Sequence, residues 1–413
     1  MSRSCSRAVF GRYARTTSPS GNSARTTNRL SRARNRGWAA VGPEGTVVVL
    51  GAGNGDGAAL CRGRRREARV DGKAHRGVAD PTVVSDDHPR SGGSPAGEGR
   101  RWQVSQDDRV AGTLLATAVG DALGAGYEFS SSPIGEVDMI GGGLGPFAPG
   151  EWTDDTSMAI GIAEVAAGGS LDPDAIGERF LAWYRSSPPD MGNATRAVLG
   201  SVGTAGQLAG AAAAMYARQP RGAAGNGALM RTAPVALAHL GDDDAIAAGA
   251  RAVAELTHAD PLAGDSCVLW SIAIDRAIRQ SRLDGVWDAL ALLPPERRER
   301  WDRALDEAGS GPASRFAPNG FTVTALQAAH AAIQLTPVPD ARPEAHLVDA
   351  LVAAVRIGDD TDTVAAIAGG LLGARWGASA VPARWRGMLH GWPGYDGEDL
   401  VRLAYEIVGD RPG

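Results

Sequence analysis

At 413 residues, 43% hydrophobic and 22% charged, the chain is long enough to bury a full core, as one large domain or two ordinary ones. Its net charge of −5 is unevenly laid down: residues 1–100 hold 18 Lys and Arg against 8 Asp and Glu, a balance of +10, which leaves residues 101–413 at −15. An acidic body argues against nucleic acid as the main partner. The three cysteines, Cys5, Cys61 and Cys267, lack the spacing of a disulfide framework or thiolate zinc site, and no apolar run is long enough to span a membrane.

The first hundred residues are rich in Arg, Ser and Gly, with no acidic residue before Glu44. This composition predicts a disordered arm over residues 1–104. Two other readings stay open: an organellar transit segment, and a true translation start near Trp102. Within the arm, Thr46 to Leu50 followed by Gly51-Ala52-Gly53-Asn54-Gly55 imitates a strand entering a dinucleotide loop. Asp56 stands where the third glycine belongs, and Arg62 to Arg66 interrupt the helix that should follow, so a nucleotide-binding strand–loop–helix is rejected. With no hydrophobic signal core, the expected compartment is the cytoplasm.

From residue 107 onward, apolar side chains recur at three- and four-residue spacing, predicting helices over 110–123, 157–167, 173–184, 204–217, 228–240, 244–256 and 263–278. The pattern continues over 285–293, 296–305, 323–335, 346–357, 364–376 and 397–408. No stretch alternates like a half-buried strand and no fixed period recurs. The expected fold is therefore a single all-α domain over 105–413 of about a dozen helices, close-packed through abundant Ala and Gly. Its chemistry must come from loops at helix ends.

Two of these loops are acidic. Thr153-Asp154-Asp155-Thr156 and Asp359-Asp360-Thr361-Asp362-Thr363 each precede an Ala-rich apolar helix. One such run alone reads as a helix cap. Two runs, each with more carboxylates than a cap needs, would together form an oxygen-only site suited to Mg²⁺ or Mn²⁺ rather than zinc, if the fold brings them together.

The other polar loops have two readings each. Gly120-Asp121-Ala122-Leu123-Gly124-Ala125-Gly126 ends a helix and delivers Glu128, as an acid, base or metal partner or as a surface Glu. Gly225-Asn226-Gly227-Ala228-Leu229-Met230-Arg231 offers free N–H groups to phosphate or ribose, with Arg231 adding charge, or is only a turn. His258 in Thr257-His258-Ala259-Asp260-Pro261 is a partner for a helix C-terminus or a catalyst. Phe321, after Asn319-Gly320, stacks on a base or starts a core face. No nucleophile elbow, Ser/His/Asp order or HExxH is present, so covalent catalysis has no candidate.

In order, GDALGAGYE, GEWTDDTSM, PDMGNATR, GNGALMR, THADP, NGFTVTALQAA and GDDTDTVAAIAGGLLGA closely resemble the ADP-ribosylglycohydrolase family, over residues 107–410. The resemblance implies an all-α fold with a dinuclear Mg²⁺ or Mn²⁺ centre at the mouth of a cleft. The implied ligands are Thr153, Asp154, Asp155, Asp360, Asp362 and Thr363. Asp359 falls where the family often has glycine and is left out. Asp190, Gly192, Gly225, Asn226, Gly227, Ala228, Met230, His258 and Phe321 match positions around ADP-ribose, and Asp155 or Glu128 is the implied proton acceptor. The implied activity is hydrolysis of the glycosidic bond of an ADP-ribosylated protein side chain or small ADP-ribosyl compound. The alternatives are a non-catalytic ADP-ribose or nucleotide binder, which a missing metal ligand would mark, and a helical scaffold that binds no metal.

Overall fold

The computed structural model describes residues 39–41, 47–49, 104–130, 134–220 and 223–409. The chain divides into two units, residues 1–92 and 93–413. In the first, β1 (Ala39–Val41) and β2 (Val47–Val49) form an antiparallel pair with Ala40 opposite Val48. The glycine-rich segment 51–56 and the rest of the expected disordered arm lie outside the described residues.

The second unit is helical, as expected. Its helices are α1 (Gln106–Gly124), α2 (Asp154–Ala167), α3 (Pro173–Arg185), α4 (Asn193–Leu199), α5 (Leu208–Arg218), α6 (Ala233–Ala238) and α7 (Asp243–Glu255). They continue with α8 (Pro261–Gln280), α9 (Pro295–Ala308), α10 (Thr322–Leu335), α11 (His346–Val355), α12 (Thr361–Trp376), α13 (Ala383–Arg386) and α14 (Gly397–Val408). Ordinary stop and start chemistry sets many ends. Ser105 caps α1 by accepting the Asp108 N–H at 3.0 Å, while Asp172 and Asp260 cap α3 and α8 ahead of a first-turn proline.

Three local expectations need correction. The helix expected over 228–240 is a 3₁₀ turn at Asn226–Ala228 followed by the short α6, because Pro234 has no N–H to donate and can sit only in a first turn. Residues 285–292 are 3₁₀ rather than α. Where no strand was expected, β3 (His390–Gly391) and β4 (Tyr395–Asp396) form a short antiparallel hairpin. Among the described residues no helix is long and apolar enough to cross a membrane.

The element that places the site is the antiparallel pair α1 and α12 at the centre of the unit. Both are buried nearly all round: residues 109–124 are all buried, as are Thr361 to Ala374. Two stripes of small residues let the backbones touch. A Cβ at Gly120 would overlap the Ala365 carbonyl, one at Gly369 the Ala116 carbonyl, and one at Gly373 the Gly112 carbonyl. At the far end a Cβ on Gly124 would strike the backbone of Asp362, and Thr361 Oγ1 donates to Gly124 O at 2.8 Å. The glycines thus bring the C-terminus of α1 against the N-terminus of α12, where the second acidic run begins. From the flank, Trp270 of α8 donates its indole N–H to Ile367 O at 2.8 Å, locking α8 onto α12.

Candidate active site

Asp121 belongs to the last turn of α1 and is fully buried. Its Oδ1 accepts the Thr153 N–H at 2.9 Å, and its Oδ2 accepts the Thr156 N–H at 2.9 Å and the Thr156 hydroxyl at 2.6 Å. Asp121 therefore supplies the capping oxygens at the start of α2. That leaves the acidic run's own side chains free of the cap role: Thr153, the N-cap residue, makes no side-chain cap bond. The same holds at α12, where Asp360 is N-cap without a side-chain cap bond. Thr153 and Asp155 of the first run and Asp362 and Thr363 of the second turn their oxygens toward one another instead.

The two runs meet. Thr153 Oγ1 lies 3.1 Å from Asp155 Oδ2 and 3.5 Å from Asp362 Oδ2, and Thr363 Oγ1 lies 3.5 Å from Asp155 Oδ2. Single oxygens of Asp121, Asp155 and Asp362 fall within 4.8 Å of one another, and so do oxygens of Glu128, Asp360 and Asp362. Asp155 Oδ1 and Asp362 Oδ1 are buried with no hydrogen-bond partner in the protein. A buried carboxylate oxygen left unsatisfied is costly, and two aimed into one cluster call for cations. The donors are carboxylate and hydroxyl oxygens only, which fits Mg²⁺ or Mn²⁺.

Electrostatics point the same way. Burial first, then Asp121 and Asp154, hold the Asp155 carboxyl well above its ordinary range; burial, then Asp155 and Asp360, do the same to Asp362. Asp154 is raised to about 7 by burial and by Asp190, against the Gly192 N–H that its Oδ2 accepts at 3.2 Å. Glu128, delivered by a 3₁₀ turn after α1, is raised to about 9 by burial and by Asp360, Asp190 and Asp154.

The sign of the resulting pH dependence is fixed. A carboxylate whose folded pKa exceeds its unfolded value favours folding while it holds its proton. That contribution is complete below the ordinary values of 3.8 and 4.5 and is lost as pH rises through about 7 for Asp154 and about 9 for Glu128. Thermal unfolding in EDTA is therefore expected to show a midpoint that falls from pH 5 to pH 9, and Mg²⁺ is expected to raise it more at pH 9 than at pH 5. A midpoint flat in both respects would contradict the electrostatic account.

Asp359 lies outside the cluster. It adopts a left-handed backbone, φ 67°, and its carboxylate accepts the Asn319 N–H at 2.8 Å. Asn319, fully buried, organises the second run: its Oδ1 accepts the Asp360 N–H at 2.9 Å and its Nδ2 donates to Gly358 O at 3.1 Å. Asn226 of the glycine loop joins them, donating through Nδ2 to Asp360 Oδ2 at 2.7 Å and to Asn319 O at 3.1 Å. A β-bridge between Gly225 and Phe321 and a Thr322 N–H to Ala224 O bond of 2.9 Å complete the strap.

Beside the cluster lies a cleft of about 650 Å³, lined by Glu128, Asp154, Asp190, Gly192, Gly225, Asn226, Gly227, Met230, His258, Asp360, Asp362 and Thr363, with Thr195 and Gly320 added. That volume lies within the range of small-molecule sites, roughly 300–1,000 Å³. Ala228 is buried behind the loop, and Phe321 packs on the hydrophobic core beside cleft-lining Gly320. The glycines have a local cause: a Cβ on Gly227 would sit 2.9 Å from His258 Cε1.

His258 is buried and bonded through Nδ1 to Thr257 Oγ1 at 2.8 Å, and burial, then Arg231, lowers its pKa to about 3. It is a neutral wall of the cleft, so the reading of a charged partner for a helix C-terminus does not hold. Arg231 does not supply phosphate-binding charge. Its guanidinium is fully buried, 4.5 Å from the centre of the Phe180 ring, and donates to Thr257 Oγ1 at 2.7 Å. Asp121 and Asn319 were missing from the sequence-derived site. Asp121 could have been found as the one carboxylate inside the apolar run 110–123.

The sequence model of the ADP-ribosylglycohydrolase family matches residues 103–412. ADP-ribosyl-[dinitrogen reductase] glycohydrolase of Rhodospirillum rubrum is 31% identical, over 69% of this chain and 91% of its own length. ADP-ribosylarginine hydrolase Tri1 of Pseudomonas putida is 32% identical, over 74% of this chain and 79% of its own. A solved structure described as an ADP-ribosylglycohydrolase-related protein complex superposes with a TM-score of 0.56 at 30% identity, covering 74% of this chain and 98% of that one.

Proposed function

The chain belongs to the ADP-ribosylglycohydrolase family, and from that premise we propose that residues 105–413 form one hydrolase domain that removes ADP-ribose from a modified protein side chain or small acceptor, using Mg²⁺ or Mn²⁺. The observation that carries this reading is the pair of orphaned oxygens, Asp155 Oδ1 and Asp362 Oδ1, buried in one carboxylate cluster beside a cleft that Asp362 lines. Thr153, Asp154, Asp155, Asp360, Asp362 and Thr363 are the proposed ligands. The proposed compartment is the cytoplasm.

Cleaving a glycosidic bond at the anomeric carbon of ribose develops oxocarbenium character, with water arriving on one face as the leaving group departs from the other. Bound cations would neutralise the carboxylates, grip ribose hydroxyls and acidify a water. The chain's own groups do the rest. Asp155 or Glu128 is the proposed proton acceptor for the attacking water. The 225–230 loop is the proposed seat of the diphosphate, with the neutral His258 ring packed against it. Asn226 and Asn319 keep Asp360 oriented toward the cluster.

A panel of defined ADP-ribosylated compounds, incubated with and without EDTA and followed by mass spectrometry, tests the proposal. The expected result is free ADP-ribose plus unmodified acceptor, lost in EDTA and restored by Mg²⁺ or Mn²⁺. Binding of ADP-ribose without turnover of any compound would instead mark a recognition module.

A further inference from the structure

Arg231 carries a charge that no anion in the fold neutralises. Its side chain is fully buried in the turn ahead of α6, over the Phe180 ring of α3. Nη1 donates to Met158 Sδ at 3.4 Å, Nη2 donates to Val253 O at 3.4 Å and to Thr257 Oγ1 at 2.7 Å, and Nε has no partner. No carboxylate pairs with it among the described residues, and burial lowers its pKa only to about 10, so it stays charged at neutral pH. A buried, unpaired guanidinium costs stability that an apolar side chain of similar length would not. Its one short bond, to Thr257, leads to the cleft.

The protons along that route have one consistent arrangement. An arginine N–H can only donate, so the Thr257 oxygen accepts from it. Thr257 is fully buried just past the end of α7, and its hydroxyl has one other partner, His258 Nδ1 at 2.8 Å. A buried hydroxyl proton without an acceptor is costly, so it goes to Nδ1, which therefore carries the lone pair. Burial and the Arg231 charge keep the ring neutral, with a pKa lowered to about 3. A neutral imidazole has one N–H, and here it is at Nε2. Nε2 lies on the glycine-loop side: a Cβ on Gly225 would come 3.4 Å from it and one on Gly227 3.2 Å, and His258 lines the large cleft with both glycines. Among the described residues Nε2 has no hydrogen-bond partner.

We propose that Arg231 and Thr257 are positioning residues, which fix His258 in the one tautomer that presents an N–H to the cleft, where it donates to an oxygen acceptor of the ligand seated on the glycine loop. The inference rests on the proposed reading of the cleft as the ADP-ribose site and gives one ligand oxygen its donor. In the other tautomer Nε2 would turn a lone pair to the cleft and repel the same oxygen. This is also the use of a buried cation at 231. A hydroxyl or amide there could accept the Thr257 proton, and the relay would then run either way; a guanidinium allows one direction only.

The test uses the full chain with ¹⁵N-labelled histidine. Long-range proton–nitrogen correlation spectra separate the two tautomers, and the His258 signals are assigned by their loss in His258→Gln. Ligand-free wild type is expected to show a protonated Nε2 and a bare Nδ1, and ADP-ribose with Mg²⁺ is expected to shift the Nε2 resonance. In Thr257→Val and Arg231→Met the second tautomer should appear, and calorimetric affinity for ADP-ribose should fall by about 10-fold. Thr257→Ser, which keeps the hydroxyl, should retain the wild-type tautomer and affinity. A wild-type ring protonated at Nδ1, an affinity lost in Thr257→Val with the wild-type tautomer retained, or a serine variant that behaves like the valine one would overturn the relay. Should Arg231→Met fail to fold, the wild-type spectrum and the two Thr257 variants decide the question without it. Failure of wild type to bind ADP-ribose would overturn the reading of the cleft instead, and the ligand-free spectrum would still decide the relay.

Discussion

Asp362→Asn is expected to lower turnover by on the order of 1,000-fold while raising the unfolding temperature of the metal-free protein. Both effects come from the same carboxylate. In EDTA it is a buried acid held above its ordinary range by burial, Asp155 and Asp360, with Oδ1 unpartnered. Asn removes the charge and keeps an acceptor for the Thr153 hydroxyl 3.5 Å away, so the folded state loses a penalty rather than a bond. With cations present, the missing ligand weakens charge stabilisation in the transition state, where a few kcal/mol correspond to the stated rate. Helical circular dichroism should stay unchanged. Asp155→Asn should behave alike, since Asp155 Oδ1 is orphaned in the same way. Undiminished turnover in either variant would end the proposed roles, and a lowered metal-free melting point would show that the carboxylates stabilise the fold without cations.

The second large effect concerns the glycine stripe. Gly369→Ala is expected to destabilise by about 4 kcal/mol or more, although alanine is the better helix former by roughly 1 kcal/mol. The added methyl meets the Ala116 carbonyl and backbone, which cannot turn aside as a flexible side chain would. Gly210→Ala is the control: it lies within α5, exposed, with nothing within 4 Å of its added Cβ, so it should stabilise by about 0.5–1 kcal/mol. Opposite signs for one chemical change in two helices, read from urea unfolding, would establish that backbone contact between α1 and α12 holds the two acidic runs together. A neutral Gly369→Ala would refute it.

Much of this was legible in the sequence. Apolar periodicity located the long helices, because buried stripes of the α1 and α12 kind leave no other residue types available. The acidic runs were visible because their carboxylates outnumber what a cap needs. Less legible was which oxygens do the capping. Asp121 takes that task from 32 residues away, and nothing local to Thr153 announces it. Asn319 was likewise read as part of a polar loop, since its bonds to Asp360 and Gly358 cross some 40 residues. Arg231, at the end of the glycine loop, was read as adding charge there. It lies in the turn ahead of α6, with its guanidinium buried over the Phe180 ring instead.

Central to the account is that two acidic segments about 200 residues apart share bound divalent cations. Anomalous diffraction from crystals soaked in Mn²⁺ tests it most directly. The account predicts strong peaks between Asp155 and Asp362, within coordination distance of both carboxylates, and their disappearance in Asp362→Asn. Density confined to other acidic surfaces, or an empty gap between those two side chains at saturating Mn²⁺, would contradict it.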